Sequence, residues 1–149
     1  RRWYYPSLFN MEHLAILSKQ KKLLAKIISG EKTIESRWYA SKKAPFGLIA
    51  EGDTIYFKES GEPVTVKAKA SRILYYEGLN QEKIKGLLIE YGSQIGVDVS
   101  YLGNIKDKKF CILIFLDGVE KIEQFRIDKK GYGMMCAWIS VDSIDRLKA

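Results

Sequence analysis

The chain has 149 residues, enough for one domain around one core and too few for two, and its 46% hydrophobic and 29% charged residues are the balance of an ordinary globular protein. No apolar stretch approaches the roughly 18 residues that suggest a membrane-spanning helix, and no charged-then-apolar leader precedes the domain. The net charge of +7 is uneven: the first 43 residues carry 10 of the 25 basic groups and 3 of the 18 acidic ones, so the rest of the chain is neutral and any attraction to phosphate or an anionic surface belongs to the N-terminal third.

Residues 1–10 form an aromatic and basic run that reads as an arm or appended segment, with a single domain over 11–149. His13 to Leu17 is a short apolar run that predicts a buried strand, and Ser18 stands where a helix N-cap would. From Lys19 to Ser29 an apolar stripe of Leu23, Leu24, Ile27 and Ile28 predicts a helix, which Gly30 closes. A strand over Lys32 to Tyr39 follows, sending Lys32, Ile34, Ser36 and Trp38 to one side and Thr33, Glu35, Arg37 and Tyr39 to the other. After a lysine-bearing loop from Ala40 to Ala44, the glycines and proline between Pro45 and Asp53 mark turns. Thr54 to Lys58 and Val64 to Tyr76 then read as paired strands of a barrel-like sheet. Asn80 caps a helix from Gln81 to Tyr91, with Gly92 as its stop, and residues 93–109 carry only weak signals of loop and one helical turn. Phe110 to Leu116 predicts a central strand, Asp117-Gly118 a hairpin turn and Val119 to Ile127 its partner. A last apolar segment spans Gly131 to Ile139, and Ser140 to Leu147 ends the chain as a short helix. Strands alternating with two substantial helices make this an α+β domain.

The segment Gly30-Glu31-Lys32-Thr33-Ile34-Glu35-Ser36-Arg37 fits G-x-K-x-x-E-x-R between a helix and a strand, and Gly52-Asp53-Thr54-Ile55-Tyr56-Phe57 supplies a glycine-aspartate turn and strand after it. In these residues, and in element order over roughly 13–140, the chain resembles the ASCH domain family of the PUA-like superfamily. The resemblance implies a PUA-like β-barrel with flanking helices and a cleft beside the motif that binds RNA or modified nucleosides. It also implies a second reading, since some related small domains are amidohydrolases acting on acylated cytidine-type nucleosides through a motif lysine, a threonine and a distant glutamate. Lys32 takes the position of that lysine, but Glu35 stands where those domains carry the threonine.

The chemistry of the motif is that of anion recognition. Arg37 offers phosphate a planar fork and Lys32 a point charge, while Glu35 can orient either or accept from a base amino group. The plain alternative is an ion pair between Glu35 and Arg37, worth about 0 to 1 kcal/mol at a surface. Trp38, Tyr39 and Trp138 are candidate stacking platforms, with core packing as their competing role. Lys42, Lys43 and Lys58 extend the candidate phosphate track, and Ser60 offers a hydroxyl beside Gly61. If the protein is instead an enzyme, Lys32 and Glu35 are the catalytic pair, acting on a modified nucleoside or on RNA. A third reading is a protein-interaction adaptor using the basic N-terminal face.

His13 is the lone histidine and opens a predicted core strand, which favours a structural role over a Ser-His-Asp arrangement. Cys111 and Cys136 lie in apolar segments without close spacing or histidine partners, so free buried thiols in a reducing cytoplasm are expected, with no metal and no cofactor. The expected partner is RNA, a nucleotide or a modified nucleoside, with no membrane.

Overall fold

A computed structural model describes residues 10–129, 131–133 and 136–149. The arm at 1–9 and positions 134 and 135 of the last apolar segment lie outside the described residues. Six strands, β1 (Glu12–Leu17), β2 (Ile34–Tyr39), β3 (Thr54–Glu59), β4 (Val64–Tyr76), β5 (Phe110–Phe125) and β6 (Trp138–Val141), form one sheet in the order β2-β5-β4-β3-β1-β6. The sheet curls into a half-barrel whose edges are β2 and β6, and among the described residues only the β1–β3 pair is parallel. Three helices accompany it: α1 (Leu23–Ser29), α2 (Gln81–Ile95) and the single turn α3 (Leu102–Ile105). The domain is α+β, a curled sheet with flanking helices, as the sequence reading expected.

Strand alternation assigns the core. On β5, Ile112 and Ile114 face the barrel interior with Ala15, Leu17, Ile55, Phe57 and Val66, where Leu24 and Ile27 of α1 close one end. Cys111 and Leu113 face the other way and receive α2 through Ile84, Leu87, Leu88 and Ile95, together with Ile34 and Trp38 of β2. Both faces of this half of β5 are therefore covered, which explains its unbroken apolar run. A third cluster seats the C-terminal 3-10 turn, Ile144 and Leu147, against Leu14, Val64 and Ile139. No helix among the described residues is long and apolar enough to cross a membrane.

The C-terminal helix expected over 140–147 is instead the end of β6 at Val141 and a 3-10 turn over Ile144–Leu147. Three further boundaries differ from the sequence reading, each for a physical reason. Helix α1 begins at Leu23 and not Lys19, and Ser18 caps nothing: residues 18–22 are all exposed, so no apolar burial holds them helical, and they form a turn closed by the Lys22 N–H on the Lys19 carbonyl. Helix α2 runs through Gly92 to end at Gly96, whose φ of 89° makes it the left-handed cap. Gly92 is kept small by packing, since a Cβ there would meet the Val97 carbonyl oxygen at 3.0 Å. Asp117-Gly118 is not a hairpin turn. β5 passes straight through it as one 16-residue strand paired along β4, and Gly118, with φ 59°, absorbs an extra residue where the register steps from Lys69↔Asp117 to Lys67↔Glu120.

Candidate functional site

The helix-to-strand crossing at 30–34 places the motif. Gly30, in the left-handed conformation, turns the chain out of α1, and Lys32 then lies across the C-terminus of α2 before β2 begins. The last carbonyls of a helix carry its negative dipole end, and α2 has no basic residue of its own in the last turn. Two lysines from α1 and its exit supply the charge: Lys32 Nζ donates to the Ile95 carbonyl at 2.8 Å, and Lys26 Nζ to that of Gly96 at 3.3 Å. Lys32 Nζ also donates to the Ile34 carbonyl at 2.7 Å and lies 3.2 Å from Glu35 Oε1. An ammonium has three protons, and these three acceptors use them all.

Glu35 and Arg37 project from β2 toward the barrel interior, opposite Ile114 and Ile112. Glu35 is 3% exposed and joins the two cations, meeting Lys32 through Oε1 and Arg37 through Oε2, which accepts from Nε at 2.9 Å and lies 2.8 Å from Nη2. Burial alone would raise the Glu35 carboxyl, but Arg37 first and Lys32 second outweigh it and hold it below the usual carboxylate range. Burial pushes the Lys32 ammonium below its ordinary value, against a partial offset from Glu35.

Arg37 crosses from one sheet edge to the other. Its Nη1 donates to the Ala137 carbonyl, 3.3 Å away at the entry to β6, and its guanidinium lies 5.0 Å from the Trp138 ring centroid. Of five N–H bonds, Glu35 takes two and Ala137 one, and the Tyr39 hydroxyl is a further partner, which leaves one uncommitted among the described residues on a side chain still 12% exposed. Trp138 is itself held from behind: its indole N–H points at His13 Nδ1 at 3.1 Å, and His13 Nε2 meets Asp53 Oδ2 at 2.8 Å. An indole nitrogen only donates, so Nδ1 accepts and the His13 ring proton sits on Nε2. With His13 fully buried and Asp53 also accepting from the main chain of Met11 and Ala50, the histidine is structural, as expected from its strand.

A cleft of about 440 Å³ opens on this trio along β2. Its walls include Lys32, Glu35, Ser36, Arg37, Trp38 and Tyr39. The lining also includes Ile16 to Ser18, Lys21, Tyr101, Asn104 and Lys108. The structure thus brings together five of the residues singled out from sequence: Lys32, Glu35, Arg37, Trp38 and Tyr39. Tyr39 is half-buried, donates its hydroxyl to the Ala44 carbonyl at 2.9 Å, and is held above the ordinary phenol range by burial. Trp38 is 7% exposed in the core under α2, and Trp138 is 4% exposed beneath Arg37. The remaining sequence candidates lie off the lining. Lys42 pairs with Glu77 at 2.9 Å, and the Lys43 ammonium sits 5.0 Å from the centroid of the Tyr39 ring. Lys58 is buried, its ammonium pushed down by that burial and by nearby Lys129 and Arg126, while Ser60 lies outside the lining and donates its amide to the Leu17 carbonyl.

Lys21, Tyr101, Asn104 and Lys108 were not singled out from sequence. The last three come from the 93–109 segment, whose weak periodicity hid that α2's extension and α3 carry them to β2. Among the described residues no cluster of His, Cys, Asp or Glu could hold a metal, and Cys111 and Cys136 are both free thiols, the first pushed up by burial.

No protein-family model and no curated protein sequence matches the chain. Solved structures do. The crystal structure of ASCH from Zymomonas mobilis superposes with a TM-score of 0.67 at 16% identity, covering 93% of this chain and 96% of that one. A tyrosine-to-phenylalanine variant of the same protein gives 0.65 at 14% identity over 93% and 99%, and a serine-to-alanine variant 0.67 at 15% over 93% and 96%. Agreement over nearly the whole length of both chains, with the six-stranded curled sheet and its helices, shows that this protein has the α+β, PUA-like fold of an ASCH domain.

Proposed function

We propose that the cleft along β2 binds RNA or a nucleotide, with Arg37 as its central phosphate contact. The observation that carries this reading is the state of Arg37. Its guanidinium is clamped by Glu35, braced on Trp138 and partly exposed at 12%, in a cleft whose lining holds Lys21, Lys32, Arg37 and Lys108 against the one carboxylate of Glu35. A preorganised arginine fork loses little freedom on meeting phosphate, and buried charges of unequal sum favour an anionic ligand. Tyr101 and Tyr39 give the lining two aromatic surfaces for a base. The ASCH fold of the Zymomonas mobilis structures supports the setting. Lys32 we assign to positioning, because all its protons are spent on Ile34, Ile95 and Glu35. Two free thiols accord with a reducing, cytoplasmic location.

The test is the salt dependence of binding to a short fluorescent single-stranded RNA. Removing one phosphate-binding cation should lower the slope of log K against log salt by about 0.7. Lys21→Ala and Lys108→Ala should each do so, and Arg37→Gln should do so with the largest loss of affinity. Absent or salt-insensitive binding would overturn the reading. Turnover of an acylated nucleoside or of RNA that disappears in Lys32→Ala would replace it with a hydrolase.

A further inference from the structure

The cleft runs along an edge of the sheet and not over a face. Consecutive residues from Glu35 to Tyr39 all line it, although their side chains alternate between the barrel interior and the α2 side. Only the strand's own main chain is common to both. The ladder fixes which main-chain groups point there. Leu116 N–H bonds the Thr33 carbonyl, and Lys109 N–H bonds that of Tyr39, so odd-numbered positions of β2 face β5. In an antiparallel pair the intervening residues turn their N–H and C=O away. Ile34, Ser36 and Trp38 therefore face the cleft, and the bond from Lys32 Nζ to the Ile34 carbonyl independently fixes the same phase.

That bond also ends the free edge. With the Ile34 carbonyl taken and the Tyr39 carbonyl turned inward, the open main chain is confined to Ser36 and Trp38, about 7 Å of strand. No hydrogen bond from another protein group reaches their outward N–H and C=O groups among the described residues. A peptide strand adding to this edge would need a longer run, and the Arg37 bridge to Ala137 crosses its path. The opening fits one flat group that presents alternating donors and acceptors.

We propose that the main chain of Ser36 and Trp38 reads the Watson–Crick edge of a single unpaired nucleobase. The proposal rests on the nucleotide-binding reading above and adds a specificity to it. A residue's outward N–H and C=O are a donor beside an acceptor, a pair that the Watson–Crick edge of each nucleobase can complement, that of uracil through O4 and N3–H. Arg37, one residue on and on the interior side, then meets the phosphate. A base-paired stem has this edge occupied, so the cleft selects single strands, loops or free nucleotides over duplex.

The test uses the whole chain, ¹⁵N-labelled and titrated with uridine 5′-monophosphate, its N3-methyl derivative and a fully paired RNA duplex. Expected are shifts of the Ser36 and Trp38 amides with uridine monophosphate, at least tenfold weaker binding of the N3-methyl form, and no shift of these amides with duplex. Shifts at Lys21 and Lys108 without any at Ser36 and Trp38, or equal affinity for the methylated nucleotide, would overturn the base-edge proposal and leave the phosphate site standing. No response anywhere along the cleft to any of the three would sink the nucleotide-binding reading itself. Ser36→Pro supplies a second arm: an outward amide on an edge strand tolerates proline, so this variant should fold and lose at least tenfold in affinity. If it unfolds, or binds as the parent does, the amide does not have the assigned role.

Discussion

Replacing Glu35 with glutamine tests the buried trio most directly. In the folded chain Glu35 is 3% exposed and sits between Lys32, 2% exposed, and Arg37, so its removal changes the trio from one net positive charge to two without changing side-chain size. Breaking a buried ion pair by deleting one partner typically costs about 3 to 5 kcal/mol, because the charges left behind have lost both water and counter-charge. Glutamine keeps one carbonyl that can accept from a single cation, which points to the lower end, about 3 kcal/mol. For a domain of this length that corresponds to a fall in Tm of about 6 to 12 °C. The decisive control is Lys32→Met in the same background, which restores the net charge to one: thermal unfolding of Glu35→Gln, Lys32→Met and the double variant should show Lys32→Met raising the Tm of Glu35→Gln. A Glu35→Gln variant within about 2 °C of the parent, or a double variant that melts lower still, would refute the argument that uncompensated charge sets the cost.

The acid limb of stability should carry the same signature. Glu35 titrates below its ordinary value in the folded chain, so its contribution is complete above the ordinary carboxylate range and is lost as pH falls through the depressed folded value; urea unfolding from pH 7 downward should show a shallower acid decline in Glu35→Gln. Two glycines of α2 should respond oppositely to alanine. Gly86 has open space around it and should gain about 0.5 to 1 kcal/mol, whereas Gly92→Ala pushes a methyl to 3.0 Å from the Val97 carbonyl oxygen and should lose stability, both read by urea unfolding. The His13 tautomer is open to direct observation: long-range ¹H–¹⁵N spectra should show a protonated Nε2 and an unprotonated Nδ1, and the reverse pattern would contradict the Trp138 to His13 hydrogen bond.

The strands and their inner faces could be read from sequence where burial is one-sided and periodic, as in β1, β3 and β4, because a side chain's face follows directly from its place in the alternation. The trio was legible for a different reason. Charged residues two apart on a strand share a face, which brings Glu35 to Arg37, but nothing local places Lys32 beside them; it arrives by folding back over the α2 terminus, a contact with Ile95 that is 63 residues distant. Elements whose identity depends on a remote partner were misread. Asp117-Gly118 has the composition of a hairpin turn, and only the continuous pairing to β4 turns it into a bulge. Gly92 has the composition of a stop, and only the close approach of Val97 shows it to be a packing site. The wall formed by Tyr101, Asn104 and Lys108 had no periodic signal, since short turns leave none, and the main-chain edge at Ser36 and Trp38 is invisible to any reading based on side chains.

The unbroken course of β5 divides the molecule into a working end and a handle. Its first half is fixed between β2 and β4 beside the cleft along β2, whereas from Asp117 onward it pairs with β4 alone among the described residues and its side chains are largely exposed. Val119, 37% exposed, stands about 30 Å of strand away from Phe110. A surface tether, dye or fused partner attached there would leave the cleft open to solvent, while remaining joined to it through a single piece of backbone.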